Sequence, residues 1–442
     1  MLLLGGAAAA AIVWLWRVGG HRPGIARTIV IVTIVCYVPI VMQPFRALAQ
    51  RAPLRERIRA ESSFSDPIAA SVAPPGRLPD IYLVILDTYG SADVLASVYG
   101  VDDSAFRDSL RALGFSLPVT RANYPITGMA LASILNVDYL HSLSTVLDGR
   151  ETRVWPLYEL IEDDRVTSFL ERRSYESYFV PSVPWRGTLE HERARVHFPT
   201  TEVGAMEGRW LRSRLISVLW PRLLIGNVFR DRVTWSTRGN VMAAFEGMRD
   251  VMTKPGPKFV LVHSMAAHFP FAVDSRCDAR RAVVPEPELS SARARDAYAD
   301  GIRCTGTQVI AIVTELLQRS ESPPVILLQG DHGPRGLGVP WSGDAERITP
   351  AQALERFGIF GAYYLPGAPD LLGDTVTPVN VMRSVLRHYA GADLPPLEDR
   401  SFHATGERPY RFVAIPDTVF SLPLTSALFA SDGDDASAVS HP

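Results

Sequence analysis

The sequence predicts an α/β/α sandwich preceded by N-terminal transmembrane helices. Three observations carry this. Asp80-Ile-Tyr-Leu-Val-Ile-Leu86, Lys258-Phe-Val-Leu-Val-His263 and Pro324-Val-Ile-Leu-Leu-Gln329 are continuous apolar runs rich in branched residues, as strands buried on both faces are. Helical periods lie between them, at Ser104–Leu113, Thr127–Asn136, Ala292–Arg319 and Pro378–Tyr389, so strand alternates with helix. Two further apolar runs, Leu2 to Trp16 and Ile29 to Met42 (extending to about Phe45 if Gln43 and Pro44 are tolerated), stand back to back ahead of this domain.

Each N-terminal run is short of the roughly 20 residues a spanning helix needs. The alternatives are a buried core helix or, for the first run, a signal peptide. The connector carries Arg17, Arg22 and Arg27, and no small-residue cleavage pattern follows the first run, so residues 1–45 read as a two-helix membrane anchor. The first run begins abruptly, as though further helices preceded it. The connector's charge argues that it is cytoplasmic, whereas Arg46, Arg51, Arg55, Arg57 and Arg59 pull the other way. Residues 46–79 form a linker, first Arg-rich and then interrupted by Ser71-Val-Ala-Pro-Pro-Gly76. Residues 80–416 form the main domain and 417–442 a flexible tail.

Composition excludes several classes. Hydrophobic residues make up 47% of the 442, which rules out disorder as the dominant state. A net charge of -2 gives nucleic acid no footprint. Three cysteines are too few for a disulfide-built scaffold or a Cys-rich zinc module.

Weaker strands are expected at Glu176–Val180 and Ile359–Tyr364, and Thr377 is placed as the N-cap before Pro378. In open α/β sheets, ligands gather beyond the carboxyl ends of the strands. There the chain places Asp87-Thr88-Tyr89-Gly90, His263-Ser264 with His268 shortly after, and Gln329-Gly330-Asp331-His332-Gly333. An adjacent carboxylate and imidazole on a Gly turn suit Zn²⁺ or Mn²⁺. Thr127 follows Pro125 and opens a helical period. It reads either as a plain N-cap or as a hydroxyl nucleophile activated beside a cation.

Strand-end Asp87, helix-opening Thr127 and Asp331-His332-Gly333, in that order, resemble the alkaline phosphatase superfamily. The likeness is closest to its sulfatase-like branch, with the lipoteichoic acid synthases (phosphoglycerol transferases) and the phosphoethanolamine transferases. It spans roughly residues 80–405 and includes Asn123-Tyr124, Leu131-Ala-Ser133, His268-Phe-Pro-Phe271, Thr377-Pro-Val-Asn380 and Asp399-Arg-Ser401. The resemblance implies one divalent metal ion, Mn or Zn, with Mg and Ca as further candidates. Asp87, Asp331 and His332 would be its ligands, and Thr127 both ligand and nucleophile. His268 would contact the transferred or leaving group. His263, Asn123 and Arg186 join the substrate-binding set, although His263 equally fits a strand-end donor and Arg186 a surface loop. The implied function is a phosphotransferase or phosphodiesterase acting on membrane lipid or lipid-linked substrates. It would sit in a bacterial cytoplasmic membrane, the catalytic domain facing the periplasm. Cys277 and Cys304 would then pair as a disulfide.

Three rivals remain. Ser182-Val-Pro-Trp-Arg186 fits the C/S-x-P-x-R pattern from which sulfatases make formylglycine. It lies far beyond Asp87 in the chain, and Thr88 stands where sulfatases place a second Asp. A two-zinc site would need further ligands, with Asp274, His388 and His403 as candidates. A non-catalytic membrane protein conflicts with four intact core positions.

Overall fold

The computed structural model describes residues 53–71, 78–147, 149, 151–182, 191–197, 226–284 and 289–428. The apolar runs of the expected membrane anchor, Arg186, and the tail past residue 428 lie outside them. Among the described residues, no helix is long and apolar enough to cross a membrane. The chain divides into two compact units, Met1–Ser62 and Ser63–Pro442. In the first, a helix covers residues 53–61.

The second unit is built on a six-stranded sheet. Its strands are β1 (Ile81–Leu86), β3 (Glu176–Pro181), β4 (Arg195–Val196), β5 (Lys258–Ser264), β8 (Val325–Gln329) and β10 (Gly361–Tyr364). Their order is β10-β8-β1-β5-β3-β4, all parallel except β10 against β8. β2 (Val119–Arg121), β9 (Gly358–Ile359) and β11 (Thr375–Val376) form a separate small sheet. The strand expected at Ile359–Tyr364 is therefore split. Phe360 stands at the break, its N–H on the Tyr89 carbonyl and its own carbonyl accepting from Gly330 N–H. The hairpin of β6 (Phe271–Val273) and β7 (Ala279–Val284) lacks a clean period-2 pattern and was not legible in the sequence.

Every residue of β1, β5 and β8 is buried. On one face Tyr82, Val84, Leu86, Val260, Val262, Ile326 and Leu328 pack with Leu95, Leu110, Phe245, Met248, Tyr298 and Ile302 from helices. These helices are α1 (Ala92–Tyr99), α2 (Ser104–Ala112), α7 (Gly226–Met252) and α8 (Ala292–Arg319). Strand alternation turns Ile81, Leu83, Ile85, Leu261 and Leu327 to the other face, and all are buried. There α3 (Thr127–Asn136), α5 (Trp155–Glu162), α6 (Arg165–Glu171) and α10 (Pro378–Ala390) pack together, and α6 meets β3. The short α4 (His141–Val146) joins α3 to α5 in the chain. Each such aliphatic side chain contributes about 2 kcal/mol on burial. The first space for polar chemistry on β1 therefore comes past its end, at Asp87.

Three helix starts bear on the site. Ile126, in extended backbone, is the N-cap of α3, so Thr127 is the first helical residue rather than the cap. Thr377 caps α10 by position only, since its hydroxyl donates to Asp399 Oδ1 at 2.6 Å. α9 (Pro350–Phe357) opens on a full capping box, Thr349 with Gln352.

Asn123 is committed to the fold. Its Nδ2 donates to Arg400 O at 2.9 Å, and its Oδ1 accepts from Val379 N at 3.0 Å. Cys277, in the β6–β7 turn, is disulfide-bonded to Cys304 of α8. Asn123→Ala should lower stability by about 2 kcal/mol, because it strands buried backbone groups. The urea midpoint should fall while zinc affinity stays at the wild-type value; the reverse pattern would return Asn123 to the site. Replacing both Cys277 and Cys304 with Ala should cost about 3.5 kcal/mol from loop-closure entropy. In the unreduced native protein, a thiol probe should label neither cysteine.

Candidate active site

Three loops meet at the carboxyl edge of the sheet. Asp87 follows β1, and its N–H still donates to Ser264 O of β5 at 3.0 Å. Thr88 then takes a left-handed backbone, φ 61, that a β-branched residue adopts only at a cost. Three hydrogen bonds hold it there. Its N–H donates to Asp331 Oδ1 at 3.3 Å, its hydroxyl lies 2.9 Å from Ala267 O, and its carbonyl accepts from Tyr298 OH at 2.8 Å. On the third loop, a Cβ on Gly333 would lie 2.0 Å from Glu355 O, so only glycine lets the loop after His332 close on α9.

Four donor atoms converge. His332 Nε2 lies 3.1 Å from Thr127 Oγ1, 3.3 Å from Asp331 Oδ2 and 3.8 Å from Asp87 Oδ1. Tetrahedral ligands about 2.1 Å from a zinc ion stand about 3.4 Å apart. The spacing therefore fits one tetrahedral divalent cation. Asp87 Oδ1 and Asp331 Oδ2 are buried and accept no hydrogen bond, which leaves their lone pairs for that cation. His332 Nδ1 faces the Gly333 carbonyl at 3.1 Å; a carbonyl only accepts, so Nδ1 holds the proton and Nε2 presents its lone pair to the cluster. Asp87, His263 and Asp331 also bring one ligand atom each within 4.8 Å of one another. Yet His263 Nε2 meets Asp87 through Oδ2, at 3.1 Å, on the side away from the His332 contact. In that geometry His263 orients the Asp87 carboxylate through its other oxygen.

Electrostatics agree. Burial alone pushes the Asp87 carboxyl up, but His268 and the bond from His263 hold it well below the usual carboxylate range. Burial, and then the Asp87 charge, push Asp331 upward. Burial and the Arg356 guanidinium hold His332 well below its ordinary value, which keeps its imidazole neutral and ligand-ready.

Beside the cluster opens a cavity of about 380 Å³. Thr88, Thr127, His268, Tyr298, His332 and Arg356 line its polar part, and Ile126, Phe269, Phe271, Leu289 and Trp341 its apolar part. His268 Nδ1 lies against the Phe269 carbonyl. Arg335 stacks on Trp341, 5.2 Å from the ring centre.

Asp87, Thr127, Asp331 and His332 are thus brought together, with His268 on the cavity wall. His263 sits behind Asp87 and Asn123 is tied to backbone elsewhere. Ser182 is 2% exposed and its hydroxyl accepts from Met265 N at 3.1 Å. Asp274 accepts the N–H groups of Arg276 and Asp278 within its hairpin turn. His388 lies in the last turn of α10. His403 is buried and meets Phe357 edge-on. None of Asp274, His388 and His403 joins the carboxylate cluster among the described residues. Thr88, Tyr298, Trp341 and Arg356 were not singled out from the sequence. Thr88 offered one signal, its place directly after Asp87; the others lie in segments whose pattern reads as ordinary helix or loop.

The sulfatase family profile matches residues 79–356, well over half of the chain. No curated protein matches. Among solved structures, the chain is similar to the C-terminal periplasmic domain of EcEptC from Escherichia coli in complex with Zn. Identity there is 11%, TM-score 0.51, with 81% of this chain and 97% of that chain covered. It is also similar to the integral membrane protein lipooligosaccharide phosphoethanolamine transferase A (EptA) from Neisseria meningitidis, at 11% identity and TM-score 0.47, covering 82% and 68%. Phosphonate monoester hydrolase of Agrobacterium radiobacter is similar at 14% identity and TM-score 0.46, covering 74% and 80%. At these identities, likeness to solved structures speaks to fold alone. The profile match goes further: the chain belongs to the sulfatase family of enzymes.

Proposed function

We propose that the protein is a membrane-anchored, metal-dependent phosphotransferase or phosphodiesterase that acts on lipid-linked phosphodiesters of the cell envelope through Thr127. One observation carries the reading. The Thr127 hydroxyl lies 3.1 Å from His332 Nε2, in the cluster where Asp87 and Asp331 present their unbonded oxygens. That is where a nucleophile needs to be, and Ser182 is elsewhere with its hydroxyl engaged.

Asp87, Asp331, His332 and Thr127 would hold the ion, of which zinc or manganese suits the donor set. A divalent cation there would lower the pKa of the Thr127 hydroxyl and offset charge on the phosphoryl oxygens. Thr127 Oγ1, having lost its proton, attacks phosphorus in line. A Thr127 O–P bond forms, and the bond to the leaving alcohol breaks. His268 gives that alcohol its proton. A second alcohol or water then attacks the phospho-Thr127 diester, with His268 taking its proton, and frees Thr127. The positive end of α3 lies at Thr127 and stabilises negative charge there.

Other findings support substrate class and place. EptA is an integral membrane lipooligosaccharide phosphoethanolamine transferase, and EcEptC was solved as a periplasmic domain. The Cys277–Cys304 disulfide suits an exported domain. The two apolar runs of residues 1–45 supply the anchor.

Incubating the purified full chain with zinc or manganese and bacterial lipid extract should leave an adduct on the Thr127 peptide. Its mass would identify the transferred group. An aldehyde at Ser182 with Thr127 unmodified would overturn the reading in favour of a sulfatase. Thr127→Ala should cut turnover of a chromogenic phosphodiester by at least about a thousandfold and leave the fold intact. Asp331→Asn should lose metal affinity by more than the roughly 10–100-fold that a merely supporting residue costs.

A further inference from the structure

Arg356 lies in the last turn of α9 beside the site and is 4% exposed. All three guanidinium nitrogens donate to backbone carbonyls. Nε reaches Pro125 O at 2.8 Å, one terminal nitrogen donates to that same oxygen, and the other donates to Gly333 O. Among the described residues no carboxylate forms an ion pair with it. A buried guanidinium is ordinarily matched by an acid; this one grips two carbonyls on different loops. Pro125 lies two residues before Thr127, and Gly333 directly follows His332. A return bond runs from Gly333 N–H to Arg356 O at 2.8 Å. The neighbouring Glu355 holds the next stretch of the same loop, accepting from Gly336 N at 2.8 Å and Leu337 N at 3.0 Å. The capping box at the other end of α9 fixes the helix from which both side chains project.

We propose that Arg356 is a positioning residue, a planar fork that sets the spacing between Thr127 Oγ1 and His332 Nε2 by tying the loop before one to the loop after the other. This rests on the proposed metal site and goes beyond it. Lysine cannot replace the fork, because an ammonium is a single point on a flexible stem and cannot present parallel donors to two fixed carbonyls.

The test is zinc affinity of the full chain in detergent, measured by competition with a chromophoric chelator on Arg356→Lys, Arg356→Ala and Asp331→Asn. Arg356→Lys keeps the charge and the bulk, which protects the fold. Its zinc affinity should fall about tenfold or more. Turnover of a chromogenic phosphodiester should fall about a hundredfold with KM little changed, the pattern of a misplaced nucleophile. In Arg356→Ala, millimolar guanidinium should restore zinc affinity, and methylammonium should not. A lower thermal midpoint with wild-type zinc affinity in folded Arg356→Lys would mean a purely structural role and overturn the proposal. If Asp331→Asn loses zinc and Arg356→Lys does not, the positioning role alone fails. If both bind zinc as the wild type does, the reading of the metal site fails and the positioning role falls with it.

Discussion

Two carboxylates, Asp87 and Asp331, are forced together in a dry interior, and the chemistry of the site stems from that. At 4.8 Å or less, two unit charges repel by about 3.5 kcal/mol or more at an effective dielectric of about 20. A domain's whole net stability is about 5–15 kcal/mol. The arrangement therefore needs positive charge nearby, and the chain supplies part of it. His263 orients one Asp87 oxygen, His268 acts on the same carboxylate through its charge, and Arg356 sits behind His332. These residues still leave Asp87 Oδ1 and Asp331 Oδ2 without a hydrogen bond. A divalent cation would offset both at once and could use the neutral imidazole of His332 as well.

The fold holds the carboxylates together through register. β1 lies between β5 and β8, with Ile85 opposite both His263 and Gln329. The parallel alignment makes all three strands end at one level, so Asp87, His263 and Asp331 emerge side by side. Every residue of β1 is buried and none is charged, so Asp87 is the first charged group beyond the strand. Thr88 turns the chain sharply beyond that edge. Its left-handed backbone is held by bonds to both adjoining loops, which links the strain at this one residue to the position of Asp331.

The central strands, the long helices and Asp331-His332 were legible in the sequence because each carries a strong local signal, whereas Asp87 and Thr127 carry weak ones and were picked out by the order of motifs that resembles the alkaline phosphatase superfamily. A fully apolar run fixes a buried strand, and Asp331-His332-Gly333 combines two ligand types with the glycine that close packing demands. What stayed hidden depends on contacts distant in sequence. Asn123 has the residue type of a substrate contact, yet its amide is consumed by Val379 and Arg400, far along the chain. His263 stands at a strand end as a ligand would, and only the geometry shows that it bonds the far oxygen of Asp87. Arg356 sits in a short helix whose pattern gives no hint that its guanidinium is buried. The split between β9 and β10 has the same origin, since Phe360 bonds backbone of two other loops at the break.

In the mechanism proposed for this site, hydrolysis and transfer share the Thr127 adduct and would differ in what reaches it next. Thr127 is only partly buried and opens onto a cavity whose wall includes Ile126, Phe269, Phe271, Leu289 and Trp341. Such a surface holds water poorly and holds apolar matter well. An acceptor alcohol carried on a lipid or a glycolipid gains contact with that wall as it approaches phosphorus, and a water molecule gains none. In that mechanism His268 would serve either acceptor, because taking a proton does not depend on what bears it. If the proposed mechanism holds, that wall would weight the second half-reaction toward transfer, and the half-exposed indole of Trp341 lies on the wall an arriving acceptor would meet.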